Sequence, residues 1–459
     1  MMASVADFDA TLTASGIGLE MYRLIAELYP ICRSITGNGV RETLRIIQQR
    51  LPLDMHEVPS GTDVFDWTVP VEWNITDAYV KNIRGEKVVD FKASNLHVVN
   101  YSVPVKKKVA LAELKQHLYT LPDHPDWIPY RTSYYSESWG FCLSHRQFLQ
   151  LNDEEYEVCI ESSLQDGSLT YGEYFLRGET TDEVLISCHV CHPSLCNDNL
   201  SGIALAIFLA EALRSCTPRY SYRFLFIPGT IGSITWLWAN EAMTPNIKHG
   251  FVLAGVGDAG RLTYKKSRQG TAEIDKAFTY VLQHSEEGAE VLDFSPYGYD
   301  ERQFCSPGFN LPVGCLMRTP HGRYPQYHTS ADNLDFVHPT SLADSLTTCL
   351  RVISLLEENR TYLNQSPKCE PRLGKRGLYR AIGGQPPPDG VDGLILLWVL
   401  NLSDGNHSLL EIAERSGCQF ERVKAAAKLL SQHDLLKELK PAVKSSDPEA
   451  RNNEGGHVR

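Results

Sequence analysis

The sequence predicts an α/β protein: a mostly parallel, mixed sheet flanked by helices, with an inserted small β-rich domain and a C-terminal winged-helix domain. Three observations lead there. From about Glu157 onward, strand-like and helix-like stretches alternate, the rhythm of a parallel sheet with helical crossovers. Between Asp54 and Tyr156 the texture differs, with short β-rich stretches cut by Pro, Gly and Asp. After a stretch broken by Pro387 and Pro388 come three helical patterns, the last two separated by a three-residue turn.

Taken in order, residues 17–51 read as two helices, LEMYRLIAELYP and GVRETLRIIQQRLP, apolar at helical spacing and separated at ITGNG. Residues 1–53 are assigned to the same core as the later α/β unit. Residues 54–156 form the insert, with VFDWTVP, NLHVVNYSVPV and SWGFCLSH as its strands. The core resumes over 157–366. Its strands are YGEYFLRG, DEVLISCHV, RYSYRFLFIPG and HGFVLAGVG, and its helices include NLSGIALAIFLAEALRS, TIGSITWLWANE and PTSLADSLTTCLRVISLLEEN. Residues 367–390 read as a linker, 391–442 as a winged helix-turn-helix, and 443–459 as a polar, disordered tail.

Composition narrows the class. The 459 residues suffice for two or three domains, and 42% hydrophobic with 22% charged residues is ordinary for a globular chain. No stretch approaches the roughly 18–20 apolar residues that span a bilayer. The opening MMASVADFDATLTASG lacks the basic and apolar regions of a secretion signal, so a cytoplasmic protein with no membrane partner is expected. In that setting the 12 cysteines do not read as a disulfide framework. A net charge of −12 argues against broad nucleic-acid binding. Acids and bases nearly cancel across the C-terminal helices, which fits protein contact or self-association better than a phosphate backbone.

Chemistry concentrates in VLISCHVCHPSLCNDNLSG, residues 184–202. A strand delivers His189 at its carboxyl end, where open α/β sheets place ligands, and Asp198 follows just before a long helix. An imidazole and a carboxylate on rigid elements suit Zn²⁺. Taken alone, the same residues also fit a core histidine and a helix N-cap. A second motif, RYPQYHTSADNLDFV, puts His328 on a loop between a strand and a helix. Together His189, Asp198 and His328 would supply the three protein ligands of a catalytic zinc site. The pair Cys188 and Cys191 has no second CxxC to complete a structural zinc site, and GVGDAG has the wrong glycine spacing for a nucleotide fingerprint.

On these motifs, residues 157–360 resemble the zinc aminopeptidase family, which includes bacterial leucyl aminopeptidases and the related glutaminyl cyclases. His189 and Asp198-Asn-Leu-Ser-Gly202 match its first two ligand positions, and Tyr327-His328-Thr-Ser-Ala-Asp332 its last. The stretch Tyr299-Asp300-Glu301-Arg302-Gln303-Phe304 looks like its Ser-Asp-x-x-x-Phe segment. Over nearly residues 17–440 the chain is similar to aminopeptidase-like proteins associated with polysaccharide biosynthesis, which carry an N-terminal β-rich domain and a C-terminal winged helix. The resemblance implies a zinc-exopeptidase-like fold and hydrolysis of a small peptide or aminoacyl amide.

The chain departs from the family at the turn after RFLFIPG. Aminopeptidases carry Glu-Glu there, as general base and ligand; this chain has Pro228-Gly229-Thr230-Ile231-Gly232-Ser233. Cys191 stands where the family has an Asp, and Asp258 matches a further ligand only in an uncertain register. One zinc ion, or a similar divalent metal, is therefore expected rather than two. Glu301 is the first candidate for the base and Asp300 the second. Arg318 could hold a substrate carboxylate and Tyr327 could donate to an oxyanion. Two other readings stay open: a metal-binding scaffold or regulator that has lost hydrolysis, and acyl transfer or cyclisation as in glutaminyl cyclases.

Overall fold

The computed structural model describes residues 16–284, 288–378 and 393–439. Residues 379–390 of the expected linker, 391–392 and 440–442 of the expected winged-helix domain, and the expected disordered tail 443–459 lie outside them. The chain divides into two compact units, residues 1–357 and 358–459.

The first unit is built on an eight-stranded sheet. Its strands are β1 (Asp54–Pro59), β2 (Ser168–Leu176), β3 (Glu183–His189), β4 (Ser221–Ile227), β5 (Ile247–Leu253), β6 (Thr263–Lys265), β7 (Glu290–Leu292) and β8 (Val313–Met317). They lie in the order β1-β2-β4-β3-β5-β8-β6-β7. The centre, β4-β3-β5-β8, is parallel, while β1 on β2, β2 on β4 and β6 on β8 are antiparallel. β3 is buried at every residue, as a strand covered on both faces must be. This is why EVLISCH shows no polar alternation. Helices α1 (Ile17–Leu28) and α2 (Asn38–Gln48) belong to the same layer system, α1 packing on α3 (Gly202–Arg214) and α2 on β2. α3 starts at Gly202 for a packing reason. A Cβ there would stand 2.5 Å from Asn199 Oδ1 and 2.6 Å from the Leu253 carbonyl, so only glycine lets the helix meet β5.

The insert has its own four-stranded antiparallel sheet, Glu72–Lys81, Lys87–Asp90, Val105–Ala110 and Glu155–Gln165, over a core that includes Val80, Val158, Phe141 and Leu143. Its limits differ from 54–156. Asp54–Pro59 is the edge strand of the main sheet, and Glu155–Gln165 is an inner strand of the insert. Residue pattern identifies a strand but not which of two sheets it joins.

In the second unit, Thr361–Asn364 lies between Asp404–Ser408 and Leu436–Glu438 in a three-stranded sheet, beside helices Gly393–Leu402, Leu409–Ser416 and Phe420–Gln432. The winged-helix sheet thus takes its middle strand from a segment that the sequence reading assigned to the core. Ser408 and Glu411 form a capping box, and Gly417 ends the helix in the left-handed conformation. Among the described residues no helix is long and apolar enough to cross a membrane.

One buried ion pair ties α2, the main sheet and the insert together. Arg41 donates to Glu72 Oε1 at 2.8 Å, to Glu57 Oε1 at 2.9 Å and to Ser168 Oγ at 3.0 Å. The Arg41 guanidinium holds the Glu72 carboxyl down at about 2, against an ordinary 4.5. Because the folded value lies below the unfolded one, the stabilisation is complete above pH 4.5 and is lost as pH falls towards 2. Glu72→Gln should therefore cost about 2–3 kcal/mol at pH 7 and flatten the acid limb of stability. Urea unfolding at a series of pH values checks this; an unchanged acid limb would contradict it.

Candidate metal centre

Three segments meet at the carboxyl end of β3. The strand ends at His189, and the loop beyond it brings back His192. The tight turn Cys196–Ser201 then buries Asp198 completely before α3 begins. His328 arrives from the loop after β8. His189 Nε2 lies 2.8 Å from Asp198 Oδ1, while His328 Nε2 and His192 Nε2 lie 3.0 Å and 3.7 Å from Oδ2. Ligand atoms of His189, His192 and Asp198 all fall within 4.8 Å of one another.

His189 Nε2 and Asp198 Oδ1 share a hydrogen bond at 2.8 Å, whereas the contacts at Oδ2 fit a metal better than hydrogen bonds. Donors on a tetrahedral zinc stand about 3.3 Å apart, at metal distances of about 2.0–2.2 Å. Neither Asp198 Oδ2 nor His328 Nε2 makes a hydrogen bond of proper geometry, although the two are neighbours. A cation between them would satisfy both. The donors that fall together, the His189 and His192 imidazoles and the Asp198 carboxylate, are ones that zinc accepts.

Charge supports the same reading. Burial alone would push Asp198 up, but the His192, His189 and His328 imidazoles outweigh it and hold its carboxyl well below the usual range. Burial takes His192 down to about 3 against the pull of Asp198, so its ring is neutral at pH 7 and keeps a lone pair. Burial also opposes protonation of His189, yet its contact with Asp198 prevails and its pKa is raised.

A surrounding shell fixes the ligands. Asp332, the acid of the second motif, accepts from the backbone N–H groups of Asn197 at 2.6 Å and Asp198 at 2.9 Å. Burial raises it to about 8, with those two bonds opposing. Arg33 is buried between α1 and α2 and donates to the carbonyls of His192 and Leu28, each at 2.8 Å. The insert contributes as well. Tyr130 N donates to the His328 carbonyl at 2.8 Å, Ser330 N to the Ile128 carbonyl at 2.8 Å, and Pro129 bridges Thr329. This strap holds His328 at φ 56°, a strained conformation for a non-glycine residue. Above the ligands opens a cleft of about 420 Å³ lined by Tyr130, Tyr134, His192, Gly229, Thr230 and His328, among others.

His189 and His328 of the expected trio both reach Asp198, but the group whose ligand atoms all lie within 4.8 Å of one another is His189, His192 and Asp198. His192 was outside that trio; its three-residue spacing from His189 was the available signal. Tyr327 stacks on the His328 ring, centroids 4.0 Å apart. Two expectations need correction. Glu301 is fully buried in an ion pair with Lys265, which removes it from the role of free base. Arg318 turns away from the cleft, donating to Asp344 Oδ2 at 2.8 Å and to the Gly260 carbonyl at 2.8 Å, so it is a structural residue and not a substrate clamp. Asp258 is likewise no ligand: it accepts from Asn197 Nδ2 at 3.0 Å and Thr319 Oγ1 at 2.6 Å. Asp300 remains at the site. Ser233 Oγ donates to its Oδ1 at 3.0 Å, and Oδ2 has no partner. A Cβ on Gly229 would lie 3.3 Å from that oxygen and 3.2 Å from His189 Cβ. Asp300 thus brings a carboxylate to the turn that lacks one of its own, and burial raises its pKa to about 6, His189 and Ser233 opposing.

A mixed sheet with imidazoles and a carboxylate gathered at the end of its central parallel strand defines an aminopeptidase-like α/β protein. The comparisons agree. A family model described as a domain of unknown function (DUF4910) matches residues 22–359, and a winged helix-turn-helix model matches 360–438. The chain belongs to the DUF4910 family. A relative from Clostridium acetobutylicum, 58% identical over 424 residues covering 92% of this chain and 97% of that one, bears the name of a polysaccharide biosynthesis protein with an aminopeptidase-like domain. A crystal structure from the same organism, described as a peptidase, superposes with a TM-score of 0.88 at 55% identity, covering 95% of this chain and all of that one. A zinc aminopeptidase from Bacillus subtilis shares the fold at a TM-score of 0.53 and 12% identity, over 73% of this chain and 94% of its own.

Cys191 sits 3.1 Å from His192 Nδ1, an arrangement that could suggest a thiol nucleophile. Burial raises its pKa, as it does for Cys188 and Cys196, so the thiols stay protonated. Iodoacetamide on the native protein at pH 7.5 should label exposed Cys369 and leave these three unmodified by peptide mass mapping. Rapid labelling of Cys191 would contradict this.

Proposed function

We propose that this protein is a metal-dependent amide hydrolase that uses one divalent ion, zinc by preference, held by His189, His192 and Asp198, with His328 beside them and the fourth position left to water. One observation carries the reading: ligand atoms of His189, His192 and the fully buried Asp198 lie within 4.8 Å of one another, with His328 Nε2 3.0 Å from Asp198 Oδ2 and an open cleft above. An ion bound there supplies Lewis acidity to a carbonyl and lowers the pKa of water. The chain's own residues do the rest. Asp300 takes the attacking water's proton at its unpartnered Oδ2, with Ser233 fixing the other oxygen, and returns it to the leaving amine. Tyr327 and Tyr130 wall the His328 ring and hold its orientation.

The substrate is a peptide or aminoacyl amide, by likeness to the fold; the relative's name adds amides of amino sugars to the class worth testing. The winged-helix unit serves protein contact. Lys424, on the helix Phe420–Gln432, is engaged by Glu358 and Glu421, which takes a cation away from any phosphate footprint. The turn Pro228–Ser233 has no carboxylate of its own, which favours a second reading, a metal-binding regulator without turnover.

The test is a panel of aminoacyl amides, dipeptides and N-acyl amino sugars given to zinc-loaded and chelator-treated protein. Turnover that zinc restores is expected. Asp300→Asn should lower kcat by about 10²–10⁴-fold at unchanged zinc content. Glu301→Gln should instead cost about 3 kcal/mol of stability or more by stranding the Lys265 charge. Zinc-loaded protein that turns over nothing on the panel would leave the regulator reading standing.

A further inference from the structure

The cleft above the ligands is lined by two arginines, Arg131 and Arg302. Other buried or half-buried arginines in this unit have work within the fold: Arg41 binds Glu72, Arg223 binds Glu183 and Arg318 binds Asp344. Arg302 and Arg131 form no ion pair with any described acid. Arg302 Nε is buried and makes no hydrogen bond. Its sequence neighbour Glu301, the nearest acid along the chain on one side, is engaged by Lys265. A guanidinium donor shut away from water without an acceptor is costly, and it is the arrangement a ligand oxygen would complete.

The rest of the cleft describes the ligand further. Trp67 and Tyr135 line it while remaining 45% and 57% exposed, with ring centroids 5.5 Å apart. Tyr130 and Tyr134, joined hydroxyl to hydroxyl at 2.7 Å, form an inner wall with Ile35. Gly229 and Thr230 of the carboxylate-free turn lie on the same surface as His192, His328 and Arg302. A guanidinium offers paired N–H donors in the geometry of a carboxylate.

The geometry points to a carboxylate-bearing amide as the substrate of this cleft, its carboxylate held by Arg302 with Arg131 adding positive charge, and its apolar or ring portion set against Trp67 and Tyr135. Arg302 is thus the specificity-determining residue that Arg318 was expected to be. This rests on the hydrolytic reading of the floor, but carboxylate binding can be measured apart from turnover.

Hippurate and hippuramide share an aromatic ring and an amide and differ in the terminal carboxylate. Calorimetry on the full chain, zinc-loaded and zinc-stripped, should show hippurate binding about 10–100-fold more tightly than hippuramide. The preference should persist without zinc, which separates it from direct coordination to the metal. Arg302→Ala should abolish it, Arg302→Lys should restore part of it, and neither should change zinc affinity. Equal binding of the two probes, or a preference that vanishes with zinc or survives Arg302→Ala, would overturn the assignment. Tighter binding of phenyl phosphate than of hippurate would overturn it in favour of a phosphoryl ligand. Loss of zinc affinity in wild type, with the hippurate preference intact, would sink the metal reading and leave this one.

Discussion

The carboxylate of Asp198 has no contact with solvent, and the local structure is organised around that fact. An ionised carboxylate away from water is tolerated only when opposite charge and hydrogen-bond donors surround it. Here three imidazoles approach its oxygens, and the backbone on its N-terminal side is pinned by Asp332. Without a cation, Oδ1 has its hydrogen bond to His189 and Oδ2 has no partner. With one, every imidazole can offer a lone pair and the carboxylate a full charge. The same atoms read as an awkward cluster in one state and a coordination site in the other.

Holding such a cluster needs rigidity from several directions. Arg33 reaches from the N-terminal helices to the His192 carbonyl, and Asn100 of the insert donates to the Arg33 carbonyl at 3.1 Å. Asn100 N in turn donates to the Arg131 carbonyl at 2.8 Å, next to the strap that carries Tyr130 onto the His328 loop. The insert is therefore part of the site. It braces a ligand through Ile128–Tyr130 and lines the cleft through Arg131, Tyr134 and Tyr135. Coupling of this kind explains how a chain can lose the carboxylates of one turn and still keep a furnished pocket: Asp300 comes from a different segment to the face of Gly229.

Much of this was legible before any coordinates. Uninterrupted burial in β3 and the amphipathic pattern of α2 follow from periodicity, and the two motifs that deliver His189, Asp198 and His328 are local in sequence. What escaped was set by contacts between distant residues. Glu301 looked like a free acid because Lys265, 36 positions away, leaves no mark on the motif around it. Arg318 looked available because Asp344 belongs to the following helix. His192 was visible as a residue but not as a member of the cluster, since a loop gives no periodicity from which to infer direction. The strands at Asp54–Pro59 and Thr361–Asn364 were credited to the wrong sheets for the same reason: pairing partners are a tertiary property.

The central claim is a single cation held by Asp198 and the imidazoles of His189 and His192. Crystals of the full chain grown with zinc, with diffraction data collected on either side of the zinc absorption edge, address it directly. The account predicts one anomalous peak, about 2.0–2.2 Å from donor atoms of Asp198, His189 and His192. Two peaks at that position, or none there while zinc occupies another part of the protein, would contradict it.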